Sequence, residues 1–400
     1  FKIYFGGKPM YIKNQLYGCV FVLTVIFSAV FAPTFAFAEK NVAILTEPPM
    51  ETPAEIKEEK AVELDKPEIT SVEIAPGLTE KTYKVWKKDG PITAYFLEAD
   101  KNYYSLLPAL DKDRVPGRDV VTKIAAEHNA VAAVNSSYFA LNGEILGVTR
   151  INGKTAGTTY FNRTALGVRP DGSAHIGKIS YDGYVTLGDV TLPVSGVDAV
   201  CGENGVVVYN SFYGDSTKTN EYVTNYVVVD GKITAIQNGD TLIPENGAVV
   251  GVHGTSTDAF KGAQVGDRAI IFENLGEEWS GDLHILGVGP RLAQDGQIHN
   301  TALEEEFPKD IRVGRNPRAG FGITREGNYI FAVVDGRQPK HSIGATLEEF
   351  AEMFLDIGAT DAMNFDGGAS AELVINGEII NSPSAGKERN IGDALLLIRK

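Results

Sequence analysis

The sequence predicts an α+β fold: a mixed, largely antiparallel sheet flanked by helices, in one domain that follows a leader and an acidic linker. Three observations lead there. Gly is abundant at 43 of 400 residues, which implies many tight turns. Most apolar runs are short and alternate, as strands do, and they are separated by Asp-Gly and Glu-Gly pairs. Two stretches instead carry apolar residues at helical spacing.

Taken in order, Thr82–Trp86 and Ile92–Glu98 alternate on either side of Asp89-Gly90 and predict a hairpin. Asp119–His128 has Val120, Val121, Ile124 and Ala125 on one face and predicts a helix. The buried strand Ala130–Val134 then delivers Asn135-Ser136-Ser137-Tyr138-Phe139 at its end. Further strands are expected at Ala165–Arg169, Tyr222–Val229, Ala248–Val252, Ala269–Phe272 and Ile285–Val288. Gly320–Thr324 and Asn328–Val334 predict a hairpin around Glu326-Gly327. Leu347–Ile357 is amphipathic, with Thr346 at its N-cap and Gly358 just past its end. Ala362–Phe365 is a short strand running into Asp366-Gly367-Gly368.

Ahead of this domain, Lys2, Lys8 and Lys13 precede the apolar run Cys19–Ala32, and Ala36-Phe37-Ala38 offers a small-x-small cleavage pattern. Residues 1–38 therefore read as a signal peptide, and the expected location is secreted or at the cell surface or wall. An uncleaved membrane anchor is the rival reading of the same run. Residues 39–76 hold nine Glu and five Pro with no aromatic. Such a segment buries too little apolar surface to offset its ordering entropy and reads as an extended acidic linker. The domain then occupies residues 77–400. Cys201 has no intrachain partner once Cys19 leaves with the signal.

The formal net charge of −15 excludes nucleic acid as the expected partner, because displacing counterions needs a basic footprint. The six His residues show no pair at metal-ligand spacing. No metal site or other cofactor is predicted, although a divalent cation bridging Asp366 and a phosphate is left open. After signal cleavage no membrane insertion is expected, and the partner is a sugar-phosphate or polysaccharide.

The sharpest chemical motif is Asn364-Phe365-Asp366-Gly367-Gly368-Ala369-Ser370. A carboxylate at a strand end, followed by two glycines, lets backbone approach a ligand closely, and Asp366 can then serve as acid, base, nucleophile or ligand. Alone, the motif fits a plain turn equally well. Upstream, Asn316-Pro317-Arg318 brings a guanidinium to a strand start, and Asp335-Gly336-Arg337 puts a second carboxylate at a strand end.

With Gly344-Ala345-Thr346-Leu347, these motifs resemble the phosphodiester glycosidase family, the N-acetylglucosamine-1-phosphodiester α-N-acetylglucosaminidases and their bacterial relatives, from Asn316 through Asn381. Asn135–Phe139, Gly289-Pro290-Arg291-Leu292 and Arg389 ahead of Asp393 are also similar to the family's pattern, in order. Ala319, Ala369 and Ser136-Ser137 depart from it, each by exchange of a small residue. The resemblance implies hydrolysis of the bond between a sugar's anomeric carbon and phosphate. It implies catalytic roles for Asp366 and Asp335. Arg318 and Arg389 grip the phosphate, and Asn135, Ser136, Arg291, Gly367, Gly368 and Ser370 complete a substrate-binding wall. A non-catalytic polysaccharide-binding protein that retains the same cleft is the second class the sequence allows.

Overall fold

The computed structural model describes residues 64–158 and 162–400, with one short strand pair near the start. The chain divides into residues 1–60 and 61–400. In the first unit the described part is the antiparallel pair Tyr4–Phe5 and Lys8–Pro9. Apart from that pair, the residues read as a signal peptide and most of those read as an acidic linker lie outside the described residues.

In the second unit, two antiparallel sheets pack face to face. The larger has eight strands in the order Gln297–Ile298, Arg291–Gln294, Ala359–Asn364, Arg318–Thr324, Tyr329–Val334, Gly90–Ala99, Leu78–Lys87 and Glu68–Ala75. The smaller has the order Glu378–Ile379, Leu373–Ile375, Ala132–Asn135, Asp393–Arg399 and Tyr104–Leu110. Phe321, Phe331, Val333, Met363 and Phe365 from the first sheet meet Val134, Leu373, Leu395 and Leu397 from the second in the main core.

The outer face of the larger sheet is covered by the Leu347–Ile357 helix, whose Leu347, Phe350, Ala351 and Phe354 pack on Phe96, Ile330 and Ala332. Its capping box is complete, with Thr346 and Glu349 satisfying each other's backbone N–H, and Gly358 closes it at φ +107°. The strand beneath carries Gly320 and Gly322 on that face. A Cβ at Gly322 would stand 2.8 Å from the Phe354 ring, so glycine is what lets the helix sit this close. Each fully buried Leu or Phe on the helix contributes about 1.5–3 kcal/mol.

The smaller sheet's outer face is covered by the helix Val121–Glu127 through Val121, Ile124 and Ala125. A third region has its own core of Val185, Val206, Val208, Tyr226, Val250 and Phe260. There Gly196–Val197 and Val206–Tyr209 form the parallel pair found among the described strands.

The α+β class and the antiparallel bias of the sequence reading hold, but two features differ. One sheet was expected, and the strands instead divide among several, with a single short helix on each outer face of the main pair. Strand partners separated by some 260 residues, such as Ala132–Asn135 and Asp393–Arg399, leave no local mark in the chain. The acidic linker also ends earlier than residue 76. Glu68–Ala75 is an edge strand, with Glu68 across from Lys84 and Val72 across from Glu80. Its Glu content marked it as linker, only Val72 and Ile74 share a face in strand alternation, and charge on an exposed edge suits a strand that must not pair further.

Candidate active site

The ends of two strands from different sheets are joined at Asp366. Its backbone N–H donates to the Ser136 carbonyl at 2.8 Å. The Asn135 side-chain amide donates to the Asp366 carbonyl at 2.6 Å and accepts from the Glu372 N–H at 3.0 Å. Pro317 wedges in from the third side: the Gly368 N–H donates to its carbonyl at 2.9 Å. A Cβ on Gly367 would come within 2.6 Å of that same carbonyl oxygen, and Gly368 adopts φ +64°. Both glycines are therefore required by the turn.

Asp366 keeps part of its surface open while its carboxyl sits deep. Burial pushes it up from the ordinary Asp value to about 6. The Ser370 hydrogen bond, the Arg389 charge and the Gly367 N–H oppose that rise, and Asp393 adds to it. Arg389 donates to the Ser370 hydroxyl at 3.0 Å and lies over the Phe139 ring at 5.2 Å. Asp393 is buried and accepts from the Ser137 N–H and hydroxyl, both at 2.7 Å. The Tyr138 hydroxyl accepts from the Asn364 amide at 3.0 Å. Burial, with the Asp366 charge, pushes its phenol well up.

Arg318 is 2% exposed. Its Nε donates to the Ala345 carbonyl at 3.0 Å, and Nη2 donates to the carbonyls of Ile311 and Gly314 at 3.1 and 2.6 Å. It forms no ion pair among the described residues. Burial pushes its guanidinium down to about 10, with Glu348, Glu349 and Asp310 acting on it from a distance. A buried cation whose neighbours are carbonyl dipoles and a tyrosine remains charged at neutral pH and favours an anion.

The structure places the remaining predicted residues differently. Asn135 and Ser136 are fully buried and shape the Asp366 turn through amide and backbone. The Asp335 carboxylate is fully enclosed. It accepts from Asn381 at 3.1 Å and from the Ser382 N–H at 2.9 Å, and it pairs with the His341 Nε2 at 2.7 Å. Asp335, expected from the resemblance as a second catalytic carboxylate, is thus enclosed and braces two loops. Asp335→Ala is expected to cost about 3 kcal/mol, or roughly 4 °C in Tm by calorimetry, because it strands buried donors. Arg291 is turned away to Asp361 at 3.4 Å and the Ile176 carbonyl at 2.5 Å. It ties sheets together through these two contacts. Arg337, Asp393 and Tyr138 sit at the site without having been singled out. Their neighbours in sequence were singled out, and only the packed strands reveal which residue of each motif faces inward. Among the described residues, no three His, Cys, Asp or Glu side chains group to hold a metal ion.

The geometry centres on a turn between residues 316 and 393, and comparison with known sequences falls on the same stretch. Residues 206–398 match the phosphodiester glycosidase family. That match bears out the resemblance carried by Asn316–Asn381. The packing adds Asn135 to the phosphodiester glycosidase segment from outside its span. The SPbeta prophage-derived uncharacterized protein YomE of Bacillus subtilis is 34% identical over 88 residues, covering 22% of this chain and 13% of its own. N-acetylglucosamine-1-phosphodiester α-N-acetylglucosaminidase of Bos taurus is 29% identical over 174 residues, covering 38% of this chain and 33% of its own. This chain thus spans at most about a third of the length of those curated relatives. In fold it is similar to a hypothetical protein from Synechocystis, with a TM-score of 0.73 and 22% identity, over 84% of this chain and 64% of that one.

Proposed function

We propose that this chain is an exported hydrolase that cleaves the bond between a sugar's anomeric carbon and phosphate in sugar-1-phosphodiesters of cell-wall polymers or exopolysaccharide. The observation that carries the reading is Asp366 on its two-glycine turn, with Arg389 bonded to Ser370 beside it and the backbone of the buried Arg318 packed beneath Gly367. In the proposed reaction, the oxygen of water bonds to the anomeric carbon as the carbon–oxygen bond to phosphate breaks. The bonding pair leaves on the phosphate oxygen, and one water proton is released. A phosphate leaving group carries that charge well, so protonation matters less than in an ordinary glycoside. Arg318 and Arg389 hold the phosphate, Ser370 orients Arg389, and the Asp366 carboxylate stabilises the oxocarbenium-like state and takes the water's proton.

Hydrolysis of a GlcNAc-1-phosphodiester by the purified chain, followed as free sugar released, tests the reading; binding of wall polymer without release would replace it with the non-catalytic alternative. The pH profile gives a further check. Because Asp366 works as a carboxylate and loses its charge below about 6, kcat is expected to fall roughly tenfold per pH unit below that point and to level off above it. A rate unchanged down to pH 4 would remove Asp366 from this role. Export rests on the Lys2-to-Ala38 pattern, and an exported product beginning at Glu39 is the expected outcome of N-terminal sequencing.

A further inference from the structure

Behind the Asp366 turn lie two carboxyl groups that the proposed reaction does not use. Glu372, just past Ser370, is 3% exposed. Its backbone is paired with Asn135: the Asn135 N–H donates to the Glu372 carbonyl at 3.4 Å, and the Glu372 N–H donates to the Asn135 Oδ1 at 3.0 Å. Asn135 also holds the Asp366 carbonyl, so Glu372 is fixed relative to Asp366. The Glu372 carboxyl hydrogen-bonds that of Glu388, the residue before Arg389. Glu388 is held in turn by Thr122, whose N–H donates at 3.2 Å and whose hydroxyl lies 2.8 and 2.9 Å from the two carboxylate oxygens.

Two carboxyl groups share a hydrogen bond only when one of them keeps its proton. The Thr122 donors favour charge on Glu388, which places the proton on Glu372. The Glu372 Oε1 has no hydrogen-bond partner among the described residues, a state that is costly for an ionised buried carboxylate. Burial, the Glu388 hydrogen bond and the Glu388 charge push Glu372 up to about 8. The other charged groups around the pair are engaged elsewhere: Lys123 with Asp119 and Glu127, Arg389 with Ser370, and Asp393 with Ser137. Lys387 is exposed.

We propose that Glu372 is a positioning residue, which ties the Arg389 segment to the Asp366 turn through a proton shared with Glu388 and so keeps Arg389 on Ser370. This rests on the reaction proposed above, in which Arg389 holds the phosphate. When Glu372 ionises, two like charges face each other in a buried place and the tie turns repulsive. Arg389 then leaves Ser370 with the segment that carries it.

The test measures kcat and KM for a sugar 1-(methyl phosphate), whose single charge is constant over the range, at pH 7 and pH 9. A group that titrates at about 8 is mostly protonated at the first and mostly ionised at the second. The unaltered protein is therefore expected to lose about tenfold in kcat/KM, chiefly through KM. Glu372→Gln keeps a donor toward Glu388 and cannot ionise, so its kcat/KM is expected to be alike at both. Glu372→Ala removes the tie and is expected to raise KM about tenfold at both, as loss of one charge-assisted contact allows. An alkaline loss that survives in Glu372→Gln, or none in the unaltered protein, would overturn the proposal while leaving the reaction intact. If no sugar is released at either pH, the proposed reaction fails, and calorimetric binding of the same ester decides the proposal separately. Affinity lost between pH 7 and pH 9 and restored by Glu372→Gln upholds it; affinity alike at both in the unaltered protein ends it.

Discussion

Asp366→Asn is expected to lower kcat roughly a thousandfold, within the range that loss of a positioned acid–base group produces, while the protein stays folded. The sign of its stability effect separates this from damage to the fold. Burial raises the folded-state value of Asp366 to about 6, above the ordinary Asp value that the unfolded chain shows. Between those values the native state binds more protons than the unfolded one, so stability falls as pH rises through that window and stays lower above it. The ionised carboxylate is therefore a cost at pH 7 that the neutral amide removes. Asp366→Asn should melt at or above the temperature of the unaltered protein while losing its activity. A variant that lost activity and also melted many degrees lower would indicate that Asp366 serves to hold the turn.

The second large effect is at Arg318. Arg318→Lys keeps the charge but cannot reproduce a planar fork that serves carbonyls and a phosphate together. A loss of about a hundredfold in kcat/KM is expected, mostly in KM. The carbonyls of Ala345, Ile311 and Gly314 lose donors in the same variant, so stability should fall by about 1–3 kcal/mol. Arg315 provides the control. It bonds the Gly344 carbonyl at 3.0 Å and pairs with Glu349 at 2.6 Å, holding the same loop. Arg315→Gln should loosen that loop without raising KM. If it reproduced the Arg318→Lys kinetics, phosphate binding by Arg318 would be the wrong explanation.

The residues that could be read in the sequence are those whose constraint is local. The Leu347–Ile357 helix was legible to the residue, since Thr346, Glu349 and Gly358 write its ends into the chain. The Asp366 turn was legible because Gly367 and Gly368 mark a backbone that no side chain can follow. Asp335 and Arg291 were legible as motif members, but their orientation was not. Asp335 turns inward to Asn381 and His341, and Arg291 finds Asp361 on a neighbouring strand. Such choices are made by packing among strands far apart in sequence. Glu68–Ala75 was missed for the opposite reason: its composition reads as linker, and its strand state comes from pairing with Leu78–Lys87.

Cleavage at the anomeric carbon, and not at phosphorus, is what separates a glycosidase from a phosphodiesterase acting on the same linkage. Hydrolysis of a sugar-1-phosphodiester in ¹⁸O-labelled water, with mass spectrometry of both products, distinguishes them directly. With Asp366 at the anomeric carbon and the arginines on phosphate, the label is expected in the sugar's hydroxyl, with unlabelled phosphate monoester. Label in the phosphate product would mean that water attacks phosphorus, and would contradict the assignment of Asp366 and of the reaction.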